Sequence, residues 1–286
     1  MMEIFLLRLV VVTVGLQNVS KKAFGERHNA NAVFSFAIGS VLAAAVVFLI
    51  AAGGDLHFTA EILGYSLFFA TAYAVSAAGS FLSIITGPLS VSSLLIQLSL
   101  IIPTLYGILF LGEELTEPRI IGIFCLLLAI VFVNLQGKKE EKRMTLKWGI
   151  FVALSFFGNG FCSVSQKMQQ DAFGGRYKSE FMIVALLAVA VFMLVPAILT
   201  EKKQIGQNLR KGLPFFLVCG VANGVANYAV MILNGMMDAS VMFPVISAGG
   251  ILLTAVIALT LYKEKLSLQQ IIGFVLGTVS VIVLNL

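Results

Sequence analysis

A chain of 286 residues, 59% of them hydrophobic and only 12% charged, with a mean hydropathy of +1.00, is too apolar for an ordinary water-soluble domain. The sequence predicts an integral membrane protein, in which a net charge of +5 is typical of Lys and Arg held in loops on one side of the membrane. Charge is sparse and no zinc-finger or helix-turn-helix pattern occurs, which argues against a nucleic-acid partner.

Ten apolar segments of roughly 17 to 25 residues divide the chain, the length that a helix needs to cross the hydrocarbon core. Helices are expected in all of them, because lipid offers no water to satisfy an open backbone. The predicted spans cover residues 4–23, 32–52, 62–85, 89–111, 119–135, 148–168, 181–200, 214–233, 239–262 and 268–286. The first span lacks the basic start and small-residue cleavage site of a signal peptide, so we expect it to be a membrane helix.

The most strongly charged segment, QGKKEEKRMTLK, lies between the fifth and sixth spans. It predicts a linker at residues 137–147 that joins a first five-helix unit, residues 1–136, to a second, residues 148–286.

The two predicted units carry the same sequence pattern. At an offset of 151 residues, the matched positions are Glu113 with Glu264, Ile120 with Ile271, Ile121 with Ile272, Gly122 with Gly273 and Asn134 with Asn285. At an offset of 145 residues, the matched positions are Gly15 with Gly160, Val19 with Val164, Ser20 with Ser165 and Lys22 with Lys167. Five spans per unit insert the second copy upside down. The predicted fold class is therefore an all-α integral membrane protein with ten transmembrane helices in two inverted five-helix repeats.

A Gly-Glu or Lys-Glu turn ends the fourth and ninth spans, a hydroxyl residue follows three positions later, and an Ile-Gly pair opens the fifth and tenth. With ten spans in two halves, the chain resembles the EamA type of the drug/metabolite transporter superfamily along its whole length. The resemblance implies a central cavity lined mainly by the first, third, fourth, sixth, eighth and ninth helices. It also implies that the substrate is a small solute such as an amino acid, a drug or a sugar.

The distribution of positive charge and the family resemblance predict opposite orientations in the membrane. Fourteen of the 19 Lys and Arg residues fall on one side if alternate loops are assigned to two faces. The positive-inside rule then places both termini outside the cell. The family resemblance implies termini inside.

Polar side chains within apolar spans are candidate solute-binding groups, because a polar group at mid-membrane is costly unless it is paired or faces a cavity. Together with aromatic residues that could supply apolar walls, the candidates are Gln17, Asn18, Tyr73, Gln97, Asn159, Gln166, Lys167, Asn223, Asn227 and Phe243. The alternative is that the amides join helices by interhelical hydrogen bonds. Asn223 and Asn227, one turn apart in one helix, favour a cavity.

Two lysines recur at equivalent places, Lys22 and Lys167. Each is explained by a lysine that extends from a helix end to the interface. The alternative hypothesis is that one attracts an anionic substrate at a cavity mouth.

Acidic residues are absent from the middle of the predicted spans, which argues against proton coupling through a buried carboxylate. Glu113 and Glu264 are expected to accept hydrogen bonds from the start of the helix that follows each of them, with Thr116 and Ser267 as N-caps.

The function predicted from the sequence is a multi-pass transporter of the cell membrane that moves a small metabolite by alternating access, as a monomer or homodimer, with no cofactor or metal. A flippase for a lipid or lipid-linked sugar is the alternative on the same fold. An intramembrane enzyme is less favoured, because His28 and His57 lie in predicted loops and no HExxH motif occurs.

Overall fold

The computed structural model describes residues 1–28, 32–134, 145–263 and 267–284, and within these ranges no β-strand occurs. In chain order the α-helices of these ranges are α1 Met2–His28, α2 Val33–Ala52, α3 Ile62–Thr86, α4 Leu89–Gln97, α5 Ile101–Phe110, α6 Glu117–Asn134, α7 Leu146–Phe173, α8 Lys178–Thr200, α9 Ile205–Asn234, α10 Ala239–Thr260 and α11 Leu268–Leu284.

Eight helical segments of the described residues are long and apolar enough to cross a membrane, and α11 contains a shorter apolar stretch, Leu268–Ser280. The chain is therefore an all-α, multi-pass membrane protein, as composition predicts. Each of the ten predicted spans overlaps at least one of these helices, although Leu111, Leu261 and Tyr262 lie beyond the helix ends. Most of the predicted linker lies outside the described residues, and α7 begins within its last part, at Leu146.

The fourth predicted span is not one uniform helix. Helix α4 ends at Gln97, a 3₁₀ turn occupies Leu98–Leu100, and α5 continues to Phe110. Pro103 explains the change, because its nitrogen has no hydrogen to donate to the carbonyl of Ser99 one turn earlier, and its ring crowds that carbonyl. The break lies deep in the bundle, where Leu98 and Ser99 are fully buried.

Contacts between helix termini define two ends of the bundle. At the end that we call the α1–α2 end, the carboxylate of Glu201 after α8 accepts hydrogen bonds from the backbone N–H groups of Phe34 (2.7 Å) and Ser35 (3.2 Å) at the start of α2. At the opposite end, called the α9–α10 end, the carboxylate of Glu113 accepts from the N–H groups of Ala239 (2.9 Å) and Ser240 (2.8 Å). Each carboxylate sits at a helix N-terminus, where the helix dipole favours negative charge.

The Glu113 contact corrects one expectation. The carboxylate caps α10, far along the chain, and not the helix that follows it, because the turn before α6 lies against the start of α10. Ser267 is confirmed as the N-cap of α11: its hydroxyl accepts from the N–H of Gln270 (3.2 Å), whose side chain accepts in return from the N–H of Ser267 (2.8 Å). Glu264 and Asn285 lie outside the described residues.

Glycines allow the central helices to approach closely. Helices α3 and α7 pack so tightly that a Cβ at Gly79 would lie 2.7 Å from the carbonyl oxygen of Phe151, and one at Gly158 would lie 2.7 Å from that of Ala72. Small residues at such crossings are typical of helix packing in membranes, where close van der Waals contact replaces the hydrophobic effect.

Apolar side chains cover both the interior and the outer surface. The largest buried cluster joins α2, α3, α7, α8 and α9, with Phe48, Phe69 and Phe181 at its centre. The outer face of α8 exposes large apolar side chains such as Val191 and Val195. A protein that is apolar outside and packed inside has the surface that a lipid environment requires.

Candidate functional site

A polar cleft lies inside the bundle, in the half nearer the α1–α2 end. It contains about 790 Å³ of atom-free space, part of it open to the surroundings, and its walls come from α1, α2, α3, α4, α7 and α9. Both halves of the chain therefore contribute to one chamber.

Helical periodicity explains which residues of α1 and α3 reach the cleft. The α1 wall consists of Val14, Gln17, Asn18 and Lys21, and the α3 wall of Tyr73, Ser76, Ala77 and Ser80. Both sets follow the spacing i, i+3, i+4, i+7, which places side chains on one face of a helix. Each helix thus turns a polar stripe inward.

The α2 side of the cleft is more apolar. Val33, Phe36, Ala37 and Val41 line it, and the ring of Phe36 lies 5.2 Å from that of Phe81, measured between centroids. A site with one aromatic wall and several fixed polar groups suits a small solute that has both polar and apolar parts.

Amide side chains on α1 bridge to other helices. The Nδ2 of Asn18 donates to the hydroxyl of Ser93 in α4 (2.8 Å) and to that of Thr254 in α10 (3.3 Å). The Oε1 of Gln17 accepts from the Nδ2 of Asn223 in α9 (3.1 Å). These bonds hold α1 in one rotation relative to its neighbours, because an unpaired buried amide is costly.

The same cleft carries an amide from α7 and one with an open acceptor. The Nδ2 of Asn159 donates to the hydroxyl of Ser99 (2.8 Å), at the 3₁₀ turn between α4 and α5. The Oδ1 of Asn223 is buried and has no hydrogen-bond partner among the described residues.

Lys21 is the cation of this cleft. Its Nζ donates to the hydroxyl of Ser80 across the cleft (2.9 Å). No Asp or Glu is among the residues that line the described cleft, and no described carboxylate forms an ion pair with Lys21. Its neighbour Lys22 points elsewhere, with Nζ 4.4 Å from the ring centroid of Tyr262.

The structure divides the ten predicted site residues into groups. Those that line the cleft are Gln17, Asn18, Tyr73, Asn159 and Asn223. Outside the lining, Gln166 donates from Nε2 to the Oδ1 of Asn227 (2.6 Å), so these two amides join α7 to α9. Phe243 is buried in an apolar cluster of α1, α9 and α10. Gln97 ends α4, and its side chain lies outside what the structure describes.

Lys167 lies at the α9–α10 end, away from the cleft. Its Nζ donates to the carbonyl oxygen of Asn234, the last residue of α9 (3.1 Å), and lies 3.5 Å from Oδ1 of Asp171. A cation at a helix C-terminus is stabilising, because the last carbonyls lack partners and carry negative partial charge. The lysine therefore links α7 to α9, and it also borders a second, open pocket at this end together with Asp171.

Sequence reasoning missed several residues that the structure brings forward. In the cleft these are Lys21, Ser76, Ser80 and Ser93. The spacing from Gln17 and Asn18 indicated this face of α1, but it did not distinguish Lys21 from Lys22, because each lies three or four positions after one of the two amides. Glu201 was missed because its partners are more than 160 positions away in sequence.

Comparisons with known proteins bear on the fold. No family model matches the sequence, and no curated protein matches it significantly. A solved structure described only as a crystal structure of protein aligns with a TM-score of 0.68 at 14% sequence identity, covering 97% of this chain and 98% of its own. The likeness shows that the path of the whole chain is shared with a protein of similar length.

Proposed function

We propose that this protein is a carrier of the cell membrane that moves a small solute by alternating access. The observation that carries the proposal is the polar cleft inside a bundle of membrane-spanning helices, built by residues from both halves of the chain such as Asn18 and Asn223. Amides, hydroxyls and a lysine are costly at this depth unless they meet water or a polar ligand. A solute path gives them that environment.

The contacts at the α9–α10 end support a carrier whose cleft does not continue to that end. The cleft lies nearer the α1–α2 end, while at the α9–α10 end Glu113 clamps the start of α10 and Arg119 lies 3.2 Å from Asp238. A separate, more open pocket at the α9–α10 end shares no lining residue with the cleft. A carrier needs one end closed while the other admits solute. We propose that solute enters from the α1–α2 end and that the contacts at the α9–α10 end open in the opposite state.

Equivalent packing in the two halves supports two inverted five-helix repeats and ten crossings. A Cβ at Gly15 would lie 2.8 Å from Cδ2 of Leu253, and a Cβ at Gly160 would lie 2.3 Å from Cδ1 of Ile102. The two glycines match at the offset of 145 residues, and Ile102 matches Leu253 at the offset of 151. Exchanging the two halves replaces α1 by α7 and α9 by α3. The contact between α1 and α9 therefore corresponds to the contact between α7 and α3.

The drug/metabolite transporter fold of EamA type fits this arrangement, and in that fold α6 and α11 pack behind the cavity-lining helices. Here α6 and α11 pack against each other and contribute nothing to the described lining of the cleft. The protein is proposed to act without a cofactor, as a monomer or homodimer.

Solute flux in proteoliposomes tests the proposal. Purified protein is reconstituted, loaded with one unlabelled solute at a time from a set of amino acids, sugars, organic acids and cationic drugs, and supplied outside with a trace of the same labelled solute. A carrier produces transient accumulation of label by exchange. A parallel assay measures scrambling of a fluorescent lipid. Accumulation with no scrambling supports the carrier, whereas scrambling with no solute accumulation identifies a flippase and overturns it.

A further inference from the structure

We propose that the cleft selects organic monoanions, with the carboxylate of the solute pairing with the ammonium group of Lys21. This rests on the proposed function, because it names the chemical class of solute that the carrier holds. The inference begins from a cation in the interior of a membrane protein that has one neutral partner, the hydroxyl of Ser80, at 2.9 Å.

The ammonium group of Lys21 lacks a counter-charge in this position. A charge away from water is costly unless an opposite charge and hydrogen bonds compensate it, so interior lysines are normally paired. None of the described carboxylates pairs with Lys21, and the described cleft has no acidic lining residue. A carboxylate delivered by the solute would supply the counter-charge.

The buried Lys167 shows how this chain treats a lysine that has only a structural role. Lys167 has an acidic neighbour, Asp171, one turn away, and a helix C-terminal carbonyl, Asn234, as hydrogen-bond acceptor. At the offset of 145 residues, Lys21 corresponds to Gln166, a neutral amide that pairs with Asn227. The second half therefore has no charge at the position where the first half has Lys21.

Groups around Lys21 complete a site for a carboxylate attached to a small body. The hydroxyl of Ser80 accepts from Lys21 and keeps its own hydrogen to donate to a carboxylate oxygen. The aromatic wall of Phe36 and Phe81 borders the same space. The carboxylate and the apolar body of such a solute therefore each have a complementary surface.

The cleft is expected to reject the neutral carboxamide of the same solute. A carboxamide fills the same volume but leaves the ammonium group without a counter-charge, and a site built around a buried polar group discriminates strongly against a ligand that leaves it unpaired. Cationic solutes are rejected more strongly, because like charges repel in a cleft of low dielectric constant.

Binding of matched solute pairs to purified, full-length protein tests the inference. Acetate, lactate and benzoate are titrated beside acetamide, lactamide and benzamide, with the thermal unfolding midpoint as readout, because a ligand of the folded state raises it. In the wild-type protein we expect at least one carboxylate to bind about tenfold or more tightly than its amide. K21Q should abolish that preference, K21R should retain most of it, and K211Q, at an exposed lysine near the same end, should leave it unchanged.

The outcomes separate this inference from the proposed function. Equal binding of each carboxylate and its amide, binding of no carboxylate, or an unchanged preference in K21Q overturns the inference, and flux of neutral solutes would then leave the carrier standing. A preference that depends on Lys21 with no flux of any solute in proteoliposomes supports the anion site and overturns the carrier. If K21Q fails to fold, the ratio of carboxylate to carboxamide affinity is measured in the wild-type protein and in K21R. A ratio of about ten or more in both supports the inference, and equal affinities overturn it.

Discussion

Helices α1 and α7 are the first helices of the two halves and share four matched residues, yet they serve different ends of the bundle. The shared pattern places Lys22 opposite Lys167 at one offset. Yet α1 turns Asn18 and Lys21 into the cleft, while α7 extends Lys167 to the carbonyl of Asn234 and joins two helices at the α9–α10 end.

Duplicated helices such as α1 and α7 therefore need not have equivalent roles in one conformation. Where α1 meets α3, the pair Lys21 and Ser80 borders open space. Where α7 meets α9, the matching residue Gln166 is buried against Asn227. In the proposed carrier, the place beside Lys21 and Ser80 is open to solute, while the place occupied by Gln166 and Asn227 is packed shut.

The largest expected effect comes from the packing of α7 on α3. A valine at Gly158 would press on the backbone of Ala72, which cannot move aside as a flexible side chain can. We expect G158V to lower the free energy of unfolding by about 3 kcal/mol or more, at the upper end of overpacking costs. G149V, on the same helix with open space around its Cβ, should be near wild type. Unfolding by SDS titration measures both, and equal stability of the two variants would contradict the packing described here.

Removing the Glu113 clamp at the α9–α10 end comes next. Glu113 accepts two hydrogen bonds from the start of α10, and hydrogen bonds to a charged group each contribute about 1.5–3 kcal/mol. E113A should therefore lower the unfolding free energy by at least one such increment. E114A is the matched control, because the side chain of Glu114 is exposed. If E114A destabilises as much as E113A, the clamp does not hold the α9–α10 end closed.

Lys21 and Lys167 should respond in opposite ways to loss of charge. K167M leaves the Asn234 carbonyl and Asp171 without their cation, so we expect a loss of about 1–2 kcal/mol in unfolding free energy. K21M removes an ammonium group that has only the Ser80 hydroxyl as partner, so stability should be unchanged or higher. A destabilised K21M beside a stable K167M would reverse the assignment of the binding and structural lysines.

The smallest effect is expected at the ion pair between Arg119 and Asp238. The Asp238 side chain is 57% exposed, and exposed pairs contribute about 0–1 kcal/mol. R119Q should shift the thermal midpoint slightly at low salt and hardly at all in concentrated NaCl, where screening weakens the wild-type pair. A large shift that persists in concentrated salt would mean that Arg119 stabilises this end through packing and not through charge.

The sequence predicted the helices well, because each needs only a local run of apolar residues. Pro103 indicates a kink in the fourth predicted span, but the sequence does not predict that the kink takes the form of a 3₁₀ turn at Leu98–Leu100, because that depends on how neighbouring helices pack around it. The predicted hydrogen-bond partner of Glu113 was wrong for a similar reason. The start of α10 lies more than 120 positions away in sequence, and only the folded bundle brings it to the carboxylate.

The candidate site was predicted in part. Amides such as Gln17 and Asn223 stand out in apolar runs, whatever the packing of the helices. Which of the adjacent lysines Lys21 and Lys22 faces inward depends on the rotation of α1, and that rotation is set by contacts with α9 and α10. Phe243 resembles a wall residue in sequence but is fully buried among apolar neighbours, because aromatic side chains serve both environments.

The most direct test of the central claim is whether water reaches the cleft within the bundle. Single cysteines are placed at Ala77, which lines the cleft, and at Val75, which is exposed on the outer, apolar surface of the same helix, after the three native cysteines are replaced by alanine. The proteins in vesicles are then treated with a membrane-impermeant, anionic methanethiosulfonate reagent. The account predicts that A77C is modified and V75C is not, and that K21Q slows the modification of A77C. Failure to modify A77C from either side of the membrane would contradict the account.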